Sequence, residues 1–265
     1  PEQSGSGGSV FGVVDEVTYK TGGQWGRWSD GGGSSLELVD ARADRRLGSN
    51  WADSDETAKA PWTTVETTGV LDNAAGSSDP PNTLYLMLLE AGEALIDDVE
   101  VRVGTTANRL SNPSFENGIT GWIPRGNHVR SSWEPNEGFN NSRSLHIRAT
   151  SQGDLSANRI RIPLNPALSV GQTASIRAKV RWLAGWPEIL LRARGGGLEA
   201  FGRLALPAHP GTPGERNSRA RDNAGPAIHA VSHFPATPDA LEPVVVKAGV
   251  SDPDCTGLGL VTETC

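Results

Sequence analysis

Apolar and polar residues alternate in short runs along most of this chain, and each run predicts a β-strand. The clearest is Thr173–Trp182. Ala174, Ile176, Ala178, Val180 and Trp182 share one face there, and Ser175, Arg177, Lys179 and Arg181 share the other. The same pattern marks Phe11–Tyr19, Leu36–Val39, Trp62–Val70, Leu84–Leu89, Ala94–Val103, Leu145–Ala149, Asn158–Leu164 and Glu188–Arg194, with Ala227–Val231 and Val244–Val250 further on. Gly, Pro, Asn or Asp bounds each run. No segment keeps a helical period for more than two turns. The expectation is an all-β chain built as a sandwich, with the 32 glycines and 18 prolines supplying turns.

Four of these strands place apolar residues inward and basic residues outward. Leu145 and Ile147 oppose His146 and Arg148; Ile160 and Ile162 oppose Arg159 and Arg161; Ile189, Leu191 and Ala193 oppose Leu190, Arg192 and Arg194. If these strands and Thr173–Trp182 share a sheet, its outer surface is strongly cationic. The formal charge of −7 conceals this asymmetry. Residues 1–103 carry 18 acidic and 7 basic side chains, residues 104–206 carry 6 and 13, and residues 207–265 carry 7 and 4. Overall acidity argues against a polyanionic partner, but the middle third taken alone does not.

The 265 residues suffice for one large core or two smaller ones. No run of 18 apolar residues is present, so no membrane span is expected. With neither an initiating Met nor a leader, the chain reads as a piece of something longer or as a mature product. Arg outnumbers Lys 20 to 4, which points to a GC-rich bacterial genome and to no particular chemistry. Residues 1–35 read as a flexible lead, a final strand and a Gly-rich connector. Residues 36–206 read as the sandwich region, divisible into halves 36–103 and 108–206. A linker follows at 207–225, and residues 226–265 begin a further β segment that is too short to close. Leu38 to Asp44 with Trp51 beyond echoes Leu110 to Glu116 with Trp122 beyond, as duplication or as chance.

Asn112-Pro-Ser-Phe-Glu116 followed by Gly121-Trp122 resembles the opening strand of galactose-binding-like jelly-roll modules, the carbohydrate-binding group associated with xylanases and glucanases. Ser144-Leu-His-Ile147 resembles their next strand, and Leu164–Gln172 running into Thr173–Trp182 their middle hairpin. Trp62-Thr-Thr-Val65 and Ile96-Asp-Asp-Val99 resemble their closing strands. The resemblance covers about 36–206 and implies a jelly-roll β-sandwich, but in a changed order, because the closing motif at 96–99 precedes the opening motif at 112–116. Either two packed halves or one rearranged sandwich satisfies that order. The resemblance also implies a structural Ca²⁺, held by Glu116 and by Asp97 or Asp98. Asp97 shares phase with Leu95, Val99 and Val101, so it is expected on the apolar side. A carboxylate there needs a cation or several N–H donors. Val13–Tyr19 resembles the last strand of a lamin-tail-type domain, Gly211–Ser218 a linker found beside such domains in large exported bacterial proteins, and residues 226–265 the start of a truncated immunoglobulin-like domain. An extracellular setting is therefore expected.

Eight tryptophans accompany only two tyrosines and five phenylalanines. Trp122 and Trp182 read as core, and Trp25 and Trp28 as connector residues. Trp133 and Trp186 fall in polar loops, where an indole can stack on a sugar ring or pack on a neighbouring loop. With Asn127, His128 and Arg192 they form the candidate ligand set, Arg192 serving acidic sugars. His229 and His233, on a strand, would stand about 13 Å apart, too far to share a metal. Cys255 and Cys265 either close a short disulfide loop or remain thiols. No acid/base pair or catalytic triad stands out, and the Gly-rich runs lack the Lys of a phosphate loop. The expectation is a non-catalytic carbohydrate-binding or adhesion module, partnered by a glycan or acidic polysaccharide and by neighbouring domains of the same polypeptide. The alternative is a structural spacer whose basic part docks on the acidic first third. Nucleic acid is disfavoured because the basic faces lack interleaved aromatics.

Overall fold

A computed structural model describes residues 2–3, 9–10, 12, 15–72, 80–195, 197–254 and 260–264. Among them, all regular structure is β apart from three single-turn 3₁₀ segments. Cys255 and Cys265 lie outside the described residues, as do positions 11, 13 and 14 of the expected first strand; residues 15–19 are not strand. The chain divides into two compact units: Gly31–Gly33 with Glu56–Pro210, and Pro1–Asp30, Ser34–Asp55 and Gly211–Cys265.

The Glu56–Pro210 unit is a sandwich of ten strands. They are β1 (Trp62–Val70), β2 (Thr83–Leu88), β3 (Gly92–Val103), β4 (Ile123–Pro124), β5 (Ser132–Glu134), β6 (Ser144–Ala149), β7 (Ile160–Pro163), β8 (Thr173–Gly185), β9 (Glu188–Ala193) and β10 (Glu199–Arg203). One sheet runs β1-β8-β3-β6-β5 and the other β10-β9-β2-β7-β4. All neighbours are antiparallel. The inward alternation builds one core: Leu84, Leu86 and Leu88 from β2, Ile96, Val99 and Val101 from β3, Leu145 and Ile147, Ile160 and Ile162, Ile176 and Val180, and Ile189 and Leu191, closed by Phe115, Trp122 and Trp182. Each fully buried side chain of this size stabilises by about 1.5–3 kcal/mol. Phe115 and Trp122 pack with ring centroids 5.0 Å apart. The Asn112–Glu116 motif is therefore a core-plugging turn rather than a strand.

The four outward-basic strands do not share one sheet. Strands β6 and β8 lie in the first sheet and β7 and β9 in the second. In the first sheet the charge is met sideways. Arg177 of β8 stands opposite Glu66 of β1 and Glu100 of β3, with its Nε 3.3 Å from Glu66. His146 Nε2 lies 2.7 Å from Glu93, and Arg181 lies 3.3 Å from Glu137. Residues 56–210 carry 15 acidic and 15 basic side chains and are net neutral.

Alternation in β3 breaks at Asp98, where φ is +46°. Lys179 faces Asp97 and Arg177 faces Glu100, so β3 has one residue more than β8 between these pairs, a β-bulge. The bulge resets the phase. Val99 and Val101 enter the core, while Asp97 and Leu95 do not belong to it. The expected common face of Asp97 with Val99 and Val101 is thus corrected.

In the other unit, Leu36–Leu38 pairs with Trp51–Asp53, and Ala227–Phe234, Val245–Ser251 and Leu260–Thr264 form a three-stranded sheet. Leu38 and Trp51 are direct cross-strand partners, whereas the echoing stretch from Leu110 to Trp122 is turns. Buried Glu37 accepts hydrogen bonds from Thr212 Oγ1 at 2.6 Å and from Ser218 N and Oγ at 2.7 Å. Burial alone would raise its carboxyl, but these bonds outweigh that and hold it below the usual range. Residues 36–55 are thereby tied to 211–219 in one compact unit, and the segment expected as a linker is a bound strap.

At the edge of the sandwich Gly202 of β10 faces Val65 of β1, and a Cβ at residue 202 would collide with that valine. Gly202→Ala is expected to destabilise the sandwich by about 1–3 kcal/mol. The measurement is the urea midpoint; an unchanged midpoint would show that these edges do not touch.

Candidate functional site

Inward alternation on the second sheet leaves a complementary outer face. Register aligns one row across all five strands: Glu199 (β10), Arg192 (β9), Tyr85 (β2), Arg161 (β7) and Ile123 (β4). A second row carries Phe201, Leu190 and Met87. Phe201 is 57% exposed, although it sits in a strand and not in a loop. Glu188 continues the same face of β9. Its Oε2 accepts the indole N–H of Trp186 at 2.9 Å, and its Oε1 lies 3.0 Å from Arg203 Nη1. Trp186 is 47% exposed. Phe201 and Trp186 are thus exposed on the β9–β10 side of this face, whereas Tyr85 and Met87 at its centre are buried.

The row beyond Phe201, on the side away from Glu188 and Trp186, carries ordered polar groups. Arg192 Nη1 lies 2.5 Å from Glu199 Oε1. The Arg159 guanidinium stacks on the Tyr85 ring at 4.0 Å. Arg159 is held by the loop before β7, where Asp154 accepts N–H bonds from Ser156 at 2.6 Å and Ala157 at 2.7 Å. Bonds from Asn158, Ser156 and Ala157 lower the Asp154 carboxyl to about 2, so it stays ionised and the loop stays closed.

Of the sequence-derived ligand set, Trp186 and Arg192 belong to this face. Trp133 does not. It lies on β5 of the first sheet opposite core residue Leu145, and its indole N–H is given to the Phe115 carbonyl at 2.8 Å. Asn127 is a loop strut, donating to the carbonyls of Ser151 and Gln152, both at 2.7 Å. His128 is corrected from ligand residue to interior residue. It is fully buried, its Nε2 accepts the Leu88 N–H at 3.0 Å, and its Nδ1 lies 2.5 Å from Asn127 Oδ1. Both ring nitrogens are used. Phe201, Tyr85, Arg159 and Arg161 were absent from that set. The alternation that makes Arg159 and Arg161 point outward was visible, but not which strands would flank them.

The residues that the resemblance assigns to calcium come to one loop by separate routes. Buried Asp97 accepts bonds from Asp98 N at 2.7 Å, Phe139 N at 2.9 Å and Ser142 Oγ at 2.5 Å. Burial nevertheless raises its carboxyl. Glu116 is paired with the Arg143 guanidinium, and Asp98 is exposed. Calcium takes six to eight oxygen ligands. Here donors face both Asp97 and Glu116, and among the described residues no group of three or more His, Cys, Asp or Glu gathers. This arrangement does not fit a calcium cage.

No family model matches the chain, and comparison with curated proteins and with solved structures finds no match. Among the described residues no helix is long and apolar enough to cross a membrane.

Burial lowers the His128 imidazolium to about 4. Between the ordinary value of about 6.5 and 4, the unfolded chain takes up a proton that the folded chain refuses. Stability from this residue is therefore full above pH 6.5 and is lost as pH falls towards 4, by up to about 3 kcal/mol. His128→Gln, which keeps an acceptor for Leu88, should flatten unfolding free energy across that window. An unchanged slope in denaturant titrations would refute the assignment.

Proposed function

We propose that the sandwich is a non-catalytic glycan-binding module of an extracellular protein, and that its sugar platform is the outer face of the second sheet. The observation that carries this reading is the pairing of two exposed rings, Phe201 and Trp186, with a row of ordered charged groups on one rigid face. A pyranose presents a C–H face that matches an aromatic ring and hydroxyls that match planar carboxylates and guanidiniums. Arg192, Glu199, Glu188 and Arg203 supply the latter. Resemblance to galactose-binding-like modules in the sequence motifs supports the same class, and two antiparallel five-stranded sheets accord with it.

A second reading, a spacer without ligand, is favoured by the charge cancellation within residues 56–210, which secures the sandwich without reference to any partner. Affinity electrophoresis through gels containing soluble polysaccharides separates the two. The glycan reading expects retardation of the wild-type chain. Phe201→Ala and Trp186→Ala should each weaken it about five- to ten-fold, a ring contact being on the order of 1 kcal/mol. Trp133→Ala should lower stability and leave affinity unchanged in the folded fraction. Free migration through every polysaccharide gel would favour the spacer.

A further inference from the structure

We infer that the glycan taken by this face carries an acidic group, a carboxylate or a sulfate ester, received by Arg161 and Arg192 over the charge of Arg159. The inference rests on the glycan reading above and names the ligand class.

Three guanidiniums converge on one tyrosine. Arg161 and Arg192 are its register partners on either side, and Arg159 stacks on its ring. Arg161 and Arg192, two strand spacings apart, stand roughly 10 Å from each other along the row. Arg192 is balanced by Glu199. Arg102, Arg148, Arg177, Arg181 and Arg203 likewise each have a carboxylate within salt-bridge distance. Arg159 and Arg161 have none among the described residues. Arg159 is only 8% exposed, and its Nε and Nη1 have no hydrogen-bond partner; nor has Arg161 Nε. Buried guanidinium nitrogens are ordinarily satisfied, and a buried cation ordinarily has a counter-charge. In a neutral sandwich these two positive charges are displaced from their balancing acids, and they lie on the same sheet as exposed Phe201, three strand spacings from it. Half-exposed Arg161 is placed to touch an arriving anion. Arg159 acts from beneath by its field, strengthened by low dielectric. A neutral sugar would leave both uncompensated.

The test is affinity electrophoresis of the full chain in polygalacturonate, dextran sulfate and neutral galactan, with circular dichroism confirming each variant's fold. Wild type should bind one acidic polymer at least ten-fold more tightly than galactan. Tighter binding of polygalacturonate identifies a carboxylate, and of dextran sulfate a sulfate. Arg161→Gln should reduce acidic binding at least five-fold and leave galactan binding unchanged, whereas Phe201→Ala should weaken both. Arg159→Lys keeps the charge and should retain the acidic preference; Arg159→Gln should lose it. Arg177→Gln, at an ion-paired arginine of the first sheet, should have little effect. Galactan bound as tightly as the acidic polymers, with Phe201→Ala still harmful, overturns the acidic inference and leaves the glycan reading standing. Arg177→Gln as harmful as Arg161→Gln overturns it in favour of diffuse charge. Binding to no polymer overturns both.

Discussion

Antiparallel pairing of β8 with β1 on one side and β3 on the other holds the sandwich together. Its inward residues Ala174, Ile176, Ala178, Val180 and Trp182 supply a central stripe of the core. Its outward basic residues need acid beside them, and that acid comes from strands roughly 80 to 110 residues earlier in the chain. Apolar burial supplies most of the stabilising free energy. Lateral charge adds little per exposed pair, but a strand set one residue out of register would turn every side chain to the wrong face. Register, more than affinity between strands, is what the acidic and basic thirds of the sequence secure together.

Alternation made most of the sandwich legible. Trp62–Val70 was read to the residue, and β2, β3, β6, β7, β8 and β9 to within a few residues at either end. Ile123–Pro124 and Ser132–Glu134 were not read, because two or three residues cannot show a period of two. The Asp98 bulge was invisible for a related reason: one residue at positive φ changes the phase of a strand while leaving its composition unchanged. Glu37 could not be assigned to its unit from local pattern, since its partners stand some 175 to 182 residues away.

The candidate site was half legible for physical reasons that differ by residue. Trp186 and Arg192 were found by residue type, one as an aromatic in a turn and the other as an outward cation. Trp133 and His128 have the same credentials and go elsewhere: Trp133, still 40% exposed, is tied at the edge of the first sheet by its bond to the Phe115 carbonyl, and His128 is buried with its Nε2 accepting from Leu88. Arg159 and Arg161 were seen to point outward. What the sequence cannot show is the cross-strand neighbour, and it is the shared neighbour Tyr85 that makes the two a cluster.

Electrical neutrality of the sandwich bears on how it meets a partner. A unit without net charge contributes no monopole attraction of its own, and its local imbalance around Tyr85 is screened within about 8 Å at physiological ionic strength. Encounter with a chain of charged sugars is then governed by diffusion and orientation, without the acceleration that a cationic surface would give. Discrimination at such a face falls after contact, in how long each sugar is retained. Residence time, rather than rate of arrival, is where its selectivity resides.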